Sequence, residues 1–367
     1  MTILPKDHHP KTLSYYWFVF LLLLFTWCPL AWPCADNFIR PTASNRGLPV
    51  RIINLESSFK KFLAEAPGKP YAEQIKIWDE VIEKDHPNFF DKLVWEKDFN
   101  PNWQDDKQRI LKYHFPQIFT KLRKAMLQEF ASFDAKVTAR LRKFLRHFPD
   151  ANLPQDIYAG PAINFTGKAH GGHLVGFGID LITQLEQDLN IIFDHELFHI
   201  YHQHAAQIDK YFPHSLNEFP LALLWKEGLA SYAVHTMNQA SSLLEVLNSK
   251  ELSQVSEEGL YWMAYKFLAD ISWPRNDFDK ITDKWFVESG DAAQRDDLPA
   301  RSGYLLGYRV MQMIAYYSEC SVADLAQWNY FQVRRELMRV LATLANQHPS
   351  HQKPDNFYVQ PKEYNEN

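Results

Sequence analysis

Between Ile118 and Leu145 the apolar residues return every three or four positions: Ile118, Leu122, Met126, Phe130, Phe133, Val137, Leu141, Leu145. That period belongs to one face of a long α-helix, and a stripe of this length must be covered by other elements along its whole course. The chain is therefore expected to fold around a long internal helix. Upstream, "SFKKFLAEA" and "YAEQIKIWDEVIEK" carry the same period, so residues 36–150 read as an N-terminal helical region. The cations off the stripe, Lys121, Arg123, Lys124, Arg140, Arg142 and Lys143, read as a solvated face.

After "PDANLP" the texture changes, because "DIYAG", "AINFTG" and "GHLVGFGIDLI" are short, glycine-punctuated and rich in β-branched and aromatic residues. These read as a small sheet. In the last run His173, Val175, Phe177 and Ile179 alternate with Leu174, Gly176, Gly178 and Asp180, so one strand face lacks bulk and leaves room for a neighbour. From about Thr183 the helical period returns through Leu185, Leu189, Phe193, Leu197 and Ile200. Further helices are expected over "LALLWKEGLASYAVHTMN", 258–271 and 302–345, and residues 347–367 read as a loose polar tail. The fold class expected is α+β, mainly helical, with a small mixed sheet.

At 46% hydrophobic and 15% aromatic, the 367 residues can bury a large core. A formal net charge of -5 gives no broad cationic surface and argues against nucleic acid as a partner. Near the N-terminus Lys6 and Lys11 precede "WFVFLLLLFTWC", a charge-free run shorter than the roughly 20 residues of a membrane span. Tyr15 to Ala35 is mostly apolar but holds Pro29 and Pro33. Residues 1–35 are thus expected to be a signal peptide or an N-terminal membrane anchor. Either places the remainder outside the cytoplasm: periplasmic, secreted, or held at the inner membrane with membrane association through that segment. Cleavage after Ala35 would leave Cys320 as the sole cysteine, without an intrachain partner.

The densest chemistry lies in "DHELFHIYHQH", residues 194–204. His195 and His199 stand one helical turn apart on one face, so two imidazoles can share one metal ion. Glu196, about 100° further round, can take a proton from a water on that ion. This is an HExxH pattern, for which Zn2+ is the expected metal. A third ligand is needed. The metzincin spacing would place Gly at 202 and His at 205, where this chain has His202 and Ala205. Glu227, in "WKEGLASYA" on the next helix, is the candidate, and Gly228 beside it signals a close approach of another element.

"HELFHIYH" followed by "LWKEGLASY" resembles the gluzincin-type (HExxH…E) zinc metallopeptidases, most of all the predicted zinc-dependent proteases of bacterial envelopes; "RSGYLLGYRV" is similar to a GYxxG helix downstream in them. The resemblance covers about Asp156 to Leu344 and implies a zincin-like catalytic region over 151–346. It implies zinc held by His195, His199 and Glu227, with Glu196 as general base. Where thermolysin-like gluzincins place an aspartate four residues past the third ligand, this chain has Ser231, which leaves Asp180 or Asp194 to support a zinc histidine. Tyr304 or Tyr308 is expected to stabilise an oxyanion, and His235 to face the cleft. Arg301 either binds a carboxylate or caps its helix.

The function expected is hydrolysis of peptide bonds in a peptide or protein substrate. The alternative is an exported, non-catalytic binding or envelope-assembly protein with a structural metal site, in which His202 or His204 would be the fourth ligand.

Overall fold

A computed structural model describes residues 50–211, 218–272, 278–287, 298–348 and 352–359. The chain is mainly α-helical with one small, open, four-stranded mixed sheet. Its strands are β1 (Arg51–Asn54), β2 (Asp156–Gly160), β3 (Gly167–His170) and β4 (Leu174–Gly178), in the order β1-β2-β4-β3. β1 and β4 run parallel to β2, with Ile52 beside Ile157 and Ile157 beside Val175. β3 returns antiparallel to β4 and forms an edge, through a turn in which Gly171 and Gly172 hold φ of 58° and 69°.

The helices of eight residues or more among the described residues are α1 (Glu56–Glu65), α2 (Tyr71–Trp78), α3 (Trp103–Gln117), α4 (Arg123–His147), α5 (Leu189–Ala205), α6 (Phe219–Met237), α7 (Glu257–Ile271), α8 (Phe278–Phe286), α9 (Ser302–Ser318) and α10 (Tyr330–Ala345). The long stripe is buried from Ile118 to Leu141, and Phe144 rather than Leu145 completes it. The helix widens into π-type turns at Ile118–Leu122, directly after Pro116, whose missing N–H and ring bulk disturb the regular ladder. Two of the cations expected on a solvated face are engaged instead: Arg140 and Lys143 both reach Asn238 at the end of α6.

The two strand faces of β4 are filled as their side chains dictate. Phe177 packs against Phe133 of α4 and stacks on Phe193 of α5, while a Cβ at Gly176 would fall 2.6 Å from the Leu93 side chain and 2.8 Å from Phe89. "AINFTG" forms no strand as a unit; β3 begins only at its Gly167, and "GIDLI" turns into a short helix, Ile179–Gln184. Leu185 drops out of the stripe as an exposed residue between that helix and α5. The tail is not loose where described, since Phe357 is buried against Trp262 and its carbonyl accepts from Ser256 N–H at 2.8 Å.

The expected localisation is corrected in its anchoring to the inner membrane: no helix among the described residues is long and apolar enough to cross a membrane. The segment that prompted it, residues 1–35, lies outside the described residues. Cys320 is disulfide-bonded in the uncleaved chain; Cys28 and Cys34 lie outside the described residues.

Candidate metal centre

α5 begins at Asp188, whose carboxylate accepts from Asn190 N–H at 2.8 Å, a side-chain cap that fixes where the helical count starts. From there His195 and His199 fall on one side, with their rings 4.7 Å apart and nearly perpendicular. Asp194 falls on another side and is almost fully buried. It receives Arg140 of α4 through both oxygens, with Nε at 2.7 Å from Oδ1, and Asn238 Nδ2 at 2.8 Å from Oδ2. Asn238 is the residue that closes α6. One carboxylate therefore ties α4, α5 and the end of α6 together, one residue away from His195.

α6 brings Glu227 to the histidines by crossing α9 at a pair of glycines. A Cβ on Gly228 would lie 2.3 Å from the Gly307 carbonyl carbon, and one on Gly307 would lie 2.5 Å from Leu224 O. Only glycine at both positions permits this approach. The close contact signalled by Gly228 is thus with the GYLLG segment of α9.

Nε2 of His195 and Nε2 of His199 are 3.1 Å apart, and each faces Glu227 Oε2, at 3.2 and 3.3 Å. These three form the candidate metal-binding cluster among the described residues. Ligand atoms held about 2.0–2.1 Å from zinc in a tetrahedral array stand roughly 3.3 Å from one another. The donor set and its spacing therefore fit that ion. Burial pushes the Glu227 carboxyl up, but the two imidazoles outweigh it and hold it well below its ordinary range. Glu227 is consequently an anion, as a metal ligand must be.

Glu196 lies between the cluster and the edge strand. A Cβ on Gly167 of β3 would fall 2.7 Å from Glu196 Cγ, so the strand backbone packs directly on this side chain. Burial pushes the Glu196 carboxyl up to about 7, against the lowering influence of His195; the Glu227 charge raises it further. Tyr304 of α9 sits with its ring 6.2 Å from that of His195, and its hydroxyl faces Glu227. Burial and the neighbouring Glu227 charge raise the phenol above its ordinary range, so it stays protonated and able to donate.

Two cavities meet at the cluster, one of about 280 Å³ and one of about 440 Å³, and His195, Glu196 and Tyr304 line both. Tyr308 and His235 line neither; they are bonded to each other, Tyr308 Oη to His235 Nδ1 at 2.6 Å. His202 is fully buried against Trp225, rings 4.5 Å apart and perpendicular, and burial drives its pKa well below the ordinary value, so it is neutral. His204 Nε2 donates to Gly172 O at 3.0 Å. His173 donates to Gly171 O at 2.7 Å, and His170 lines the larger cavity. Asp180 is bound to His114 at 2.5 Å and to two backbone N–H groups, whereas Asp194 is taken by Arg140. Ser231 Oγ is buried without a hydrogen-bond partner, as is Nδ1 of His199.

Sequence reasoning did not find the Arg140–Asn238 grip on Asp194. Its only signal was Asp194 itself, a carboxylate on the apolar stretch of a packed helix.

No protein-family model, curated protein or solved structure matches this chain. What the fold and the site define is a mainly α-helical protein with a candidate His/His/Glu metal centre, and the resemblance to gluzincins rests on the three sequence motifs alone.

Proposed function

We propose that the chain is a zinc-dependent metallohydrolase acting on peptide bonds, with a zincin-like arrangement over residues 151–346. The observation that carries the reading is the convergence of His195, His199 and Glu227 at 3.1–3.3 Å where two cavities meet, with Glu196 beside them. A zinc ion held there supplies Lewis acidity for a carbonyl and an attacking water. Glu196, which lies beside the three ligands and is not one of them, would serve as the base for the attacking water and return the proton to the leaving amine. Tyr304 donates its hydroxyl to the oxyanion that develops on the carbonyl. Asp194, clamped by Arg140 and Asn238, fixes the rotation of α5 and so the direction of both imidazoles. β3 supports a peptide as substrate, because an extended chain can pair with an edge strand and run its carbonyls past Glu196.

A metal-binding role without catalysis is the second reading, since the three ligands by themselves require no more than a bound ion. Glu196→Gln separates the two. It keeps the size and polarity of the side chain but removes the base, so zinc content should stay at the wild-type level while peptide hydrolysis falls about 10²-fold or more. Full peptidase activity in that variant, free of contaminating proteases, would exclude the mechanism. Wild-type protein that holds zinc and cleaves no peptide would leave the binding role.

A further inference from the structure

The smaller cavity holds a guanidinium that the structure leaves largely uncommitted. Arg301 lines it together with His195, Glu196 and Tyr304. The residue directly precedes α9, at a position where Ser, Thr, Asp or Asn would cap the first turn, yet its side chain makes no cap. Its backbone is left-handed, φ 57° and ψ 27°, a conformation that disfavours a long side chain and that glycine or asparagine would adopt with less strain. The guanidinium instead lies over the Tyr304 ring, 4.3 Å from its centroid. It makes one long hydrogen bond among the described residues, Nη1 to Leu247 O at 3.4 Å. Among the described residues no carboxylate stands within ion-pair distance of it.

A guanidinium offers five N–H donors in a rigid fork suited to a carboxylate, and it stays charged at any working pH. Its place over the Tyr304 ring holds it there without consuming those donors. The positive end of α9 lies beside it and adds to the attraction for an anion. The rest of the lining is mixed: Phe165, Ile192 and Phe286 are apolar, while Asn164, Gln187 and Asn248 are neutral polar groups that could hydrogen-bond a bound carboxylate's backbone or amide neighbours. At about 280 Å³ the space suits one side chain or one chain end rather than a larger ligand.

We propose that Arg301 makes this cavity a carboxylate-recognition subsite, so that the substrate carries either an acidic side chain or its free C-terminal carboxylate there. The proposal rests on the peptidase reading for its substrate class. It accounts for an arginine at a strained position that neither capping nor an ion pair explains.

The test reads binding rather than turnover. Calorimetry on zinc-loaded, full-length Glu196→Gln protein would compare Ac-Ala-Ala-Glu-Ala-Ala-amide with its Gln analogue, and acetylated penta-alanine with its amide. The same titrations follow in the Arg301→Gly background, where glycine suits the left-handed backbone, so the fold and its melting temperature should be kept. A preference of about tenfold or more for the Glu peptide, lost in Arg301→Gly, supports the proposal and assigns an acidic side chain. The same pattern for the free C-terminus over the amide supports it and assigns the chain end. No preference for either carboxylate, or one that survives Arg301→Gly, overturns it. A wild-type protein that cleaves no peptide yet shows the Arg301-dependent preference would count against the peptidase reading alone.

Discussion

Two buried polar clusters in this molecule are built on opposite terms. Under α2 and α3, Lys107 is held by Asp79 and, at 2.6 Å, by Glu83 Oε2; the other oxygen of Glu83 accepts from Trp78 Nε1 at 2.6 Å and Trp95 Nε1 at 3.0 Å. Cation, anions and donors answer one another, and the cluster is complete as it stands. Between α5 and α6, two imidazole nitrogens and a carboxylate oxygen point at one another at 3.1–3.3 Å. Three potential ligand atoms at that spacing are satisfied either by protons on the imidazoles or by one metal ion, whose donor set they fit. The contrast distinguishes a group of charges that holds a fold together from a candidate metal-binding cluster.

Lys107→Ala should break the first cluster with the larger effect, because it leaves Glu83 buried without its cation. A loss of about 3 kcal/mol in unfolding free energy is expected by denaturant titration. Zinc content should not change, and a fall in it would mean the two regions are coupled more tightly than the contacts suggest. Gly228→Ala acts on the second region with a smaller effect on stability, about 1–3 kcal/mol, since the added methyl collides with the Gly307 backbone at the crossing of α6 and α9. It should also weaken zinc binding, because the shift falls on the residue next to Glu227. Unaltered affinity for zinc in a folded Gly228→Ala protein would show that the glycine crossing does not set the ligand position.

The second region was far more legible in the sequence than the first. His195, Glu196 and His199 share one helix, where a fixed spacing is a fixed geometry, and Gly228 announced a helix crossing through its cost inside a helix. Glu227 could be found because it lies on the next long helix. The first region gave no such signal: Lys107, Asp79 and Glu83 meet only through tertiary packing, and nothing in their spacing distinguishes them from surface charges. For the same reason β1 went unseen, since "RIIN" pairs with β2 across the whole N-terminal helical region. Arg140 read as a solvated cation because its partner Asp194 belongs to another helix. The strain at Arg301 is a backbone property that no side-chain pattern carries.

The central claim is that His195, His199 and Glu227 bind one ion, and zinc-dependent stability measures it most directly. Wild-type protein stripped of metal and returned to zinc at a hundredfold its dissociation constant should gain about 2.7 kcal/mol in unfolding free energy, with one zinc bound per chain. His199→Ala should show neither the gain nor the stoichiometric metal. Wild-type protein that never retains stoichiometric zinc and is not stabilised by it, or a His199→Ala variant that behaves as wild type does, would contradict the account.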